Sequence, residues 1–402
     1  MTKPRRRQSG EGGISEYKTK AGPRYLIKYA AADEDGGRRV VLKRGYLTRK
    51  AAAAELREQL GKIADGTHVL PNKVTVGEHL AEWLDGLRLA ESTVASYRKN
   101  VRLHVSPHIG DLRLDQLTGT RLTKLYRQLE QSGRADSKEG GLSARTVRYI
   151  HTIVHKGLAV AVRDGRLAVN PADKATPPSA KEAAAPEMHP WTDGQLRAFL
   201  DWSKAGDEMY VAWLLLAMTG MRRGEALALQ WRDIDFDAGT IAVRRSATLV
   251  KIKGQGERLV VSAPKSGKPR VIDVDPQTLA ALRAHRKTIG TLSLALARDD
   301  APVLGTVDGA VRHPERFSLA FKNRVARARK ELGEDALPTI RLHDLRHTHA
   351  TILLLAGVPV KVVSERLGHA SPMITLTVYA HVMPTMQREA ATKLAAMVYG
   401  GA

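Results

Sequence analysis

The chain contains no cysteine. Disulfides, thiolate nucleophiles and cysteine-ligated zinc are therefore excluded, and the composition suits a reducing compartment. Long apolar runs are also missing. The longest, around Val211 to Met218, falls far short of the ~20 residues that span a bilayer. Lys3, Arg5, Arg6 and Arg7 at the N-terminus have no apolar stretch behind them, so no secretory signal is expected. No internal repeat is found. Acidic residues are scarce beside basic ones: 42 Asp and Glu face 64 Lys and Arg, a net charge of +22 with a pI near 10.2. The excess is not confined to one tail, since residues 1–70 hold 16 basic and 8 acidic residues and residues 71–172 hold 16 and 10. A polyanionic partner is expected, because each neutralised phosphate releases condensed counterions. Solubility is the other use of such charge. A soluble intracellular protein with no membrane partner is anticipated.

What is present divides into three segments. The 402 residues suffice for two or three domains, and 43% hydrophobic content can build real cores. Residues 13–46 alternate like strands, with Arg24 to Tyr29 and Arg38 to Lys43 flanking a turn signal at Asp33 to Gly37. Thr48 then reads as the N-cap of a helix over Ala51 to Ile63. From Val74 the period is helical: Thr75 and Glu78 have capping-box spacing, with Val76, Leu80, Trp83, Leu84 and Leu87 following at helical intervals. Further helices are expected over 92–105, 120–132 and 143–165, giving a four-helix body with a basic face. Residues 173–189 are Ala- and Pro-rich without periodicity and read as a semi-extended linker. Thr192 and Gln195 cap the start of a third, larger domain.

That third domain holds the chemistry. Its motifs are Thr219-Gly220-Met221-Arg222-Arg223-Gly224-Glu225, Pro264-Lys265-Ser266-Gly267-Lys268, His343-Asp344-Leu345-Arg346-His347, Leu367-Gly368-His369 and Tyr379-Ala380-His381. Each is weak alone. Their order, Arg, Lys, His-x-x-Arg, Gly-His, Tyr, resembles the tyrosine site-specific recombinase family of phage and mobile-element integrases, with all six signature positions filled. The chemistry of phosphodiester exchange explains such a set. Two guanidinium groups can clamp the non-bridging oxygens with bidentate donors while staying charged. The resemblance gives that role to Arg222 and Arg346. It makes Tyr379 the nucleophile, storing the bond energy in a 3′-phosphotyrosine so that rejoining needs no nucleotide cofactor. Lys265, carried by the family on a β-hairpin, would protonate the departing 5′-oxygen. It lies between the strand-like runs Leu259 to Ser262 and Arg270 to Val274, with Lys268 as the alternative. His343 and His369 match a proton-transfer group and a phosphate hydrogen-bond donor. Glu225 matches an acidic position that orients a neighbour rather than touching DNA.

The sequence offers other motifs. His343 and His347 have the i, i+4 spacing of the H-E-x-x-H zinc motif, but Asp344 replaces its Glu and no third ligand is apparent. No metal site is expected. His151 and His155 share the same spacing and more simply pack or face solvent. Gly267-Lys268-Pro269 lacks the upstream glycine and following Ser/Thr of a phosphate-binding P-loop. No cofactor is expected.

The resemblance implies a multidomain, mainly α fold with small β-sheets. Residues 1–64 would form a sheet-plus-helix arm-binding domain, 72–172 a helical core-binding domain, 173–189 a linker, and 190–402 a mixed α+β catalytic domain with a C-terminal tail. The candidate DNA contacts are Arg24, Lys28, Arg39 and Lys43 on the strands, and Arg98, Lys99, Arg145 and Arg148 on the helices. The implied partners are double-stranded attachment sites of core and arm type. Four copies of the chain would assemble through tails such as the helix expected over Pro384 to Val398, around a Holliday junction, with DNA-bending or directionality proteins assisting. The implied location is the bacterial cytoplasm, on the nucleoid when DNA-bound. A type IB topoisomerase, a non-catalytic DNA-binding regulator and a metalloenzyme are the rivals.

Overall fold

The structure is a computed structural model and describes residues 12–32, 37–65, 73–134, 139–184, 188–252, 254, 256–264, 269–379 and 386–400. The chain divides into two units, Met1–Ala185 and Pro186–Ala402.

Unit 1 begins with an antiparallel sheet of β1 (Gly13–Thr19), β2 (Gly22–Ala32) and β3 (Arg38–Tyr46). Period-2 alternation sends Ile27, Tyr29, Ala31 and Val41 to one face. There they meet Ala52 and Leu56 of α1 (Arg49–Ala64) in a small core. Thr48 caps α1 as expected, its hydroxyl accepting the Ala51 N–H at 3.2 Å. A second core lies among α2 (Val76–Asp85), α3 (Glu91–Asn100), α4 (Ser106–Ile109), α5 (Gly119–Ser132) and α6 (Ala144–Arg163). A π-helical turn at Val101–Val105 joins α3 to α4, so the body has the four rods read from the periodicity. The Thr75/Glu78 capping box starts α2, and Leu80, Leu122, Tyr126, Val147 and Leu158 are buried.

The segment expected to be a semi-extended linker is held by hydrogen bonds over part of its described length. Pro171–Lys174 form a 3₁₀ turn, the Thr176 N–H donates to Thr123 Oγ1 at 2.9 Å, and Arg148 Nη1 donates to the Pro178 carbonyl at 2.8 Å. Backbone groups left unpaired by an irregular segment found partners on α5 and α6.

Unit 2 is mixed α+β. The Thr192/Gln195 capping box opens α7 (Asp193–Gly206), followed by α8 (Tyr210–Thr219) and α9 (Arg223–Leu227). β4 (Ile234–Asp235), β5 (Thr240–Val243) and β8 (Arg270–Asp273) form one sheet; β6 (Ser246–Ile252) and β7 (Gly256–Ser262) form another. The helices α10 (Pro276–Leu292), α11 (Pro314–Leu332), α12 (Asp344–Leu355), α13 (Val360–Leu367), α14 (Pro372–Tyr379) and α15 (Met386–Tyr399) complete it. Trp191, Phe199, Trp213 and Phe321 pack at its centre in tilted and edge-on pairs, with ring centroids 5.0 to 6.4 Å apart. The Trp191 N–H donates to Thr348 Oγ1 at 3.1 Å and its indole to the Pro338 carbonyl at 2.7 Å, which anchors α12 to this core. No described helix is long and apolar enough to cross a membrane.

Candidate active site

All described signature residues lie in unit 2, on the ends of short helices. α8 stops at Gly220, and Arg222 sits at the N-cap of α9. Glu225, three residues on, accepts the Arg222 N–H at 2.9 Å and its Nη1 at 2.9 Å. This carboxylate is only 1% exposed and also takes two bonds from Arg270, at 2.7 and 3.1 Å. Burial alone would raise the Glu225 carboxyl; the Arg270 hydrogen bond and charge, with those of Arg222, hold it below the ordinary range. Arg222 Nη2 then donates to the Gly368 carbonyl at 3.2 Å, and Arg270 Nε to the Arg366 carbonyl at 3.0 Å. Glu225, expected to orient a neighbour, bonds Arg222, and Arg270, not singled out in the sequence, shares the carboxylate. Its signal was weak: an arginine opening a strand just beyond the Lys265–Lys268 motif.

Arg346 lies in the first turn of α12 and is 3% exposed. Its Nη1 donates to the Gly220 carbonyl at 2.8 Å, while Nη2 is buried without a partner among the described residues. Burial, then the nearby Arg222 charge, push this guanidinium down to about 9. An anion at Nη2 would relieve both effects. His343 precedes the helix, and burial with the Arg346 charge lowers its imidazole. His369 follows α13 and shares a 2.8 Å hydrogen bond between Nδ1 and Thr375 Oγ1. Burial, then Arg346 and Arg222, hold His369 at about 4.

Tyr379 ends α14, is 1% exposed, and packs with Ala350, Leu354, Val363 and Leu367. Its hydroxyl lies 2.8 Å from His347 Nδ1. Burial raises the phenol to about 12, against a lowering pull from Arg346. The His343 and His347 rings meet edge-on with centroids 5.1 Å apart. Among the described residues no third His, Asp or Glu joins them in a metal-holding group. His151 and His155 pair with Tyr126 and Asp173, at 3.0 and 2.8 Å.

Lys265 and Lys268 lie outside the described residues, as do residues 33–36 of the expected first turn. The strands flanking Lys265 do not form one hairpin: β7 pairs with β6, and β8 with β5. Local alternation identified the strands, but only long-range pairing could select their partners.

The candidate DNA contacts separate by face. Arg24 and Lys28 lie on the sheet face opposite α1, beside Leu42 and Arg44. Lys43 and Arg39 stand across from Ile27 and Ala31 on the helix-facing side, and Lys43 pairs with Glu55 at 2.9 Å. Arg98, Lys99, Arg145 and Arg148 are exposed on the helical body; Arg98 pairs with Asp85 at 2.7 Å, and Arg148 holds Pro178 as described above.

The motif order and this geometry agree with comparison to known proteins. The sequence model described as the phage integrase family matches residues 192–386, and that of the phage integrase N-terminal SAM-like domain matches residues 75–129. A XerC-like tyrosine recombinase of Caldanaerobacter subterraneus is 27% identical over 377 residues, covering 90% of this chain and 93% of its own. The ICEBs1 integrase of Bacillus subtilis is 28% identical, covering 74% and 77%. The fold is similar to that of the Tn1549 transposon integrase solved with a circular intermediate DNA, with TM-score 0.64 at 21% identity over 80% of this chain and 99% of that one. It is also similar to the lambda integrase tetramer bound to a Holliday junction, with TM-score 0.52 at 15% identity over 93% and 96%. The chain belongs to the phage integrase family of tyrosine recombinases, enzymes that cleave and rejoin DNA strands.

Proposed function

We propose that this chain recombines attachment sites of its own phage or mobile element, with Tyr379 as nucleophile and Arg222 and Arg346 as the phosphate clamp. The observation that carries this reading is the buried Nη2 of Arg346, without a partner among the described residues and close enough to both Arg222 and Tyr379 for each to act on its charge. Arg222 and Arg270 share the Glu225 carboxylate, and Arg346 adds a third positive charge close enough to feel it, so positive charge remains for an anion. The Tyr379 oxygen attacks phosphorus, the two arginines hold the non-bridging oxygens, and Lys265 protonates the 5′-oxygen as it leaves. His369 donates to the phosphate and His343 assists proton transfer. A 5′-hydroxyl of the partner strand later expels Tyr379 and seals the exchanged strand.

Residues 72–172 serve as the core-binding domain and residues 1–64 as the arm-binding domain. Four chains act together on a Holliday junction, joined through the tail that includes α15. That helix supports the idea by exposing Leu394, Met397, Val398 and Tyr399. The test is direct. Tyr379→Phe should form no covalent adduct on nicked crossover DNA yet bind it nearly as well, because affinity rests on phosphate contacts elsewhere. Adducts persisting in that variant would overturn the assignment.

A further inference from the structure

The reading of Tyr379 as nucleophile leaves its proton unassigned. A phenol held near 12 is protonated at neutral pH, so attack requires a base at the hydroxyl. Sequence order directs attention to His343, the first residue of His-x-x-Arg. The structure puts a different imidazole there. Successive residues on α12 point about 100° apart, so Arg346 turns toward Gly220 while His347 turns toward α14. His347 Nδ1 is 2.8 Å from the Tyr379 oxygen, and the ring centroids are 5.7 Å apart at 58°.

We propose that His347 holds the Tyr379 phenol and accepts its proton as the phenol oxygen attacks the scissile phosphorus. The bond from Tyr379 Oη to phosphorus forms, the bond from phosphorus to the 5′-oxygen breaks, and the phenolic proton moves to His347 Nδ1. The leaving oxygen takes its proton from a separate acid. In rejoining, the 5′-hydroxyl returns its proton to the conjugate base of that acid as its oxygen attacks phosphorus, the bond from phosphorus to Tyr379 Oη breaks, and the departing phenolate recovers the proton from His347. The groups that bear on His347 are His343, Asp344, Arg346 and Arg341 from its own helix and the preceding turn, Tyr379 from α14, and His369 beyond α13. Burial, then His343, hold the imidazole at about 4, so it is neutral and free to accept. A bound phosphate brings negative charge beside it and raises its basicity at the moment of attack.

This inference rests on Tyr379 being the nucleophile, and the test separates the two. The first probe is duplex crossover DNA from the junctions of the encoding element, nicked beside the cleavage point. On it, His347→Ala should form adducts about 10²- to 10⁴-fold more slowly, the range for a lost proton-transfer group, with DNA binding intact. His347→Asn keeps a side chain that can hydrogen-bond the phenol but cannot take its proton, and should be as slow. The second probe carries a 3′-p-nitrophenyl phosphate in place of the phosphotyrosine. Its leaving group needs no proton, so both His347→Ala and Tyr379→Phe should join it to a 5′-hydroxyl at the wild-type rate. Wild-type cleavage by His347→Asn would overturn the proposal. So would failure of His347→Ala on the second probe while Tyr379→Phe succeeds, since His347 would then assemble the phosphate site. An adduct formed by Tyr379→Phe on the nicked probe would overturn the nucleophile assignment itself, and this proposal with it.

Discussion

A Cβ on Gly368 would stand 2.9 Å from Cδ and Nη1 of Arg270, and Gly368 itself sits at φ +66°. The glycine therefore leaves the space through which Arg270 reaches Glu225, while its own carbonyl accepts from Arg222. Gly368→Ala should cost about 1–2 kcal/mol for the left-handed backbone alone, and more for displacing Arg270. Misplacing Arg222 should slow cleavage by up to about a hundredfold. Gly357 provides the control, being left-handed at φ +82° with nothing within 4 Å of its Cβ position. Gly357→Ala should lose comparable backbone stability with near-normal cleavage. Thermal melts and single-turnover cleavage of the two variants check this; equal cleavage would break the link between Gly368 and the clamp.

Glu225 makes part of the fold's stability pH-dependent. Its folded carboxyl lies below the ordinary glutamate range, so its contribution is complete above that range and is lost as pH falls through the folded value. Glu225→Gln removes one partner of a buried, doubly bridged site and should destabilise unit 2 by about 3–5 kcal/mol at neutral pH. The gap from the parent should narrow in acid. Denaturant titrations followed by tryptophan fluorescence suit the measurement, because four of the five tryptophans lie in unit 2. A gap that stays constant from neutral to acid pH would count against this linkage.

Lys265 and Lys268 are separable by leaving-group chemistry. A 5′-bridging phosphorothiolate departs without a proton, so it should rescue loss of the true general acid. Lys265→Ala should cleave that substrate well and the ordinary phosphodiester poorly. Lys268→Ala should show little defect on either. The reverse pattern would move the role to Lys268.

The two faces of the N-terminal sheet should respond differently to salt. Lys28→Ala and Arg44→Ala on the open face should each lower the slope of log affinity against log salt on duplex DNA by about 1. Lys43→Ala should leave that slope unchanged and cost roughly 0–1 kcal/mol of stability through its lost pair with Glu55. Equal salt responses from all three would show that the open face is not the DNA-facing one.

The sequence alone determined the parts that depend on neighbours in the chain. Caps at Thr48, Thr75 and Thr192 and the helical period after Val76 are local, and α1, α2 and α7 start where those signals stand. The order of Arg222, His343, Arg346, His369 and Tyr379 carried the family, because that chemistry needs those side chains whatever joins them. Tertiary structure decided what no spacing encodes. It paired β7 with β6 instead of β8, tied the start of the expected linker to α5 and α6 through Thr176 and Pro178, and turned Lys43 toward α1 and away from the open face. It also brought Arg270 to Glu225 across 45 residues and His347 to Tyr379 across 32. Such contacts form because a buried charge or hydroxyl must find a partner once water is excluded, and the packed elements alone determine which partner is within reach.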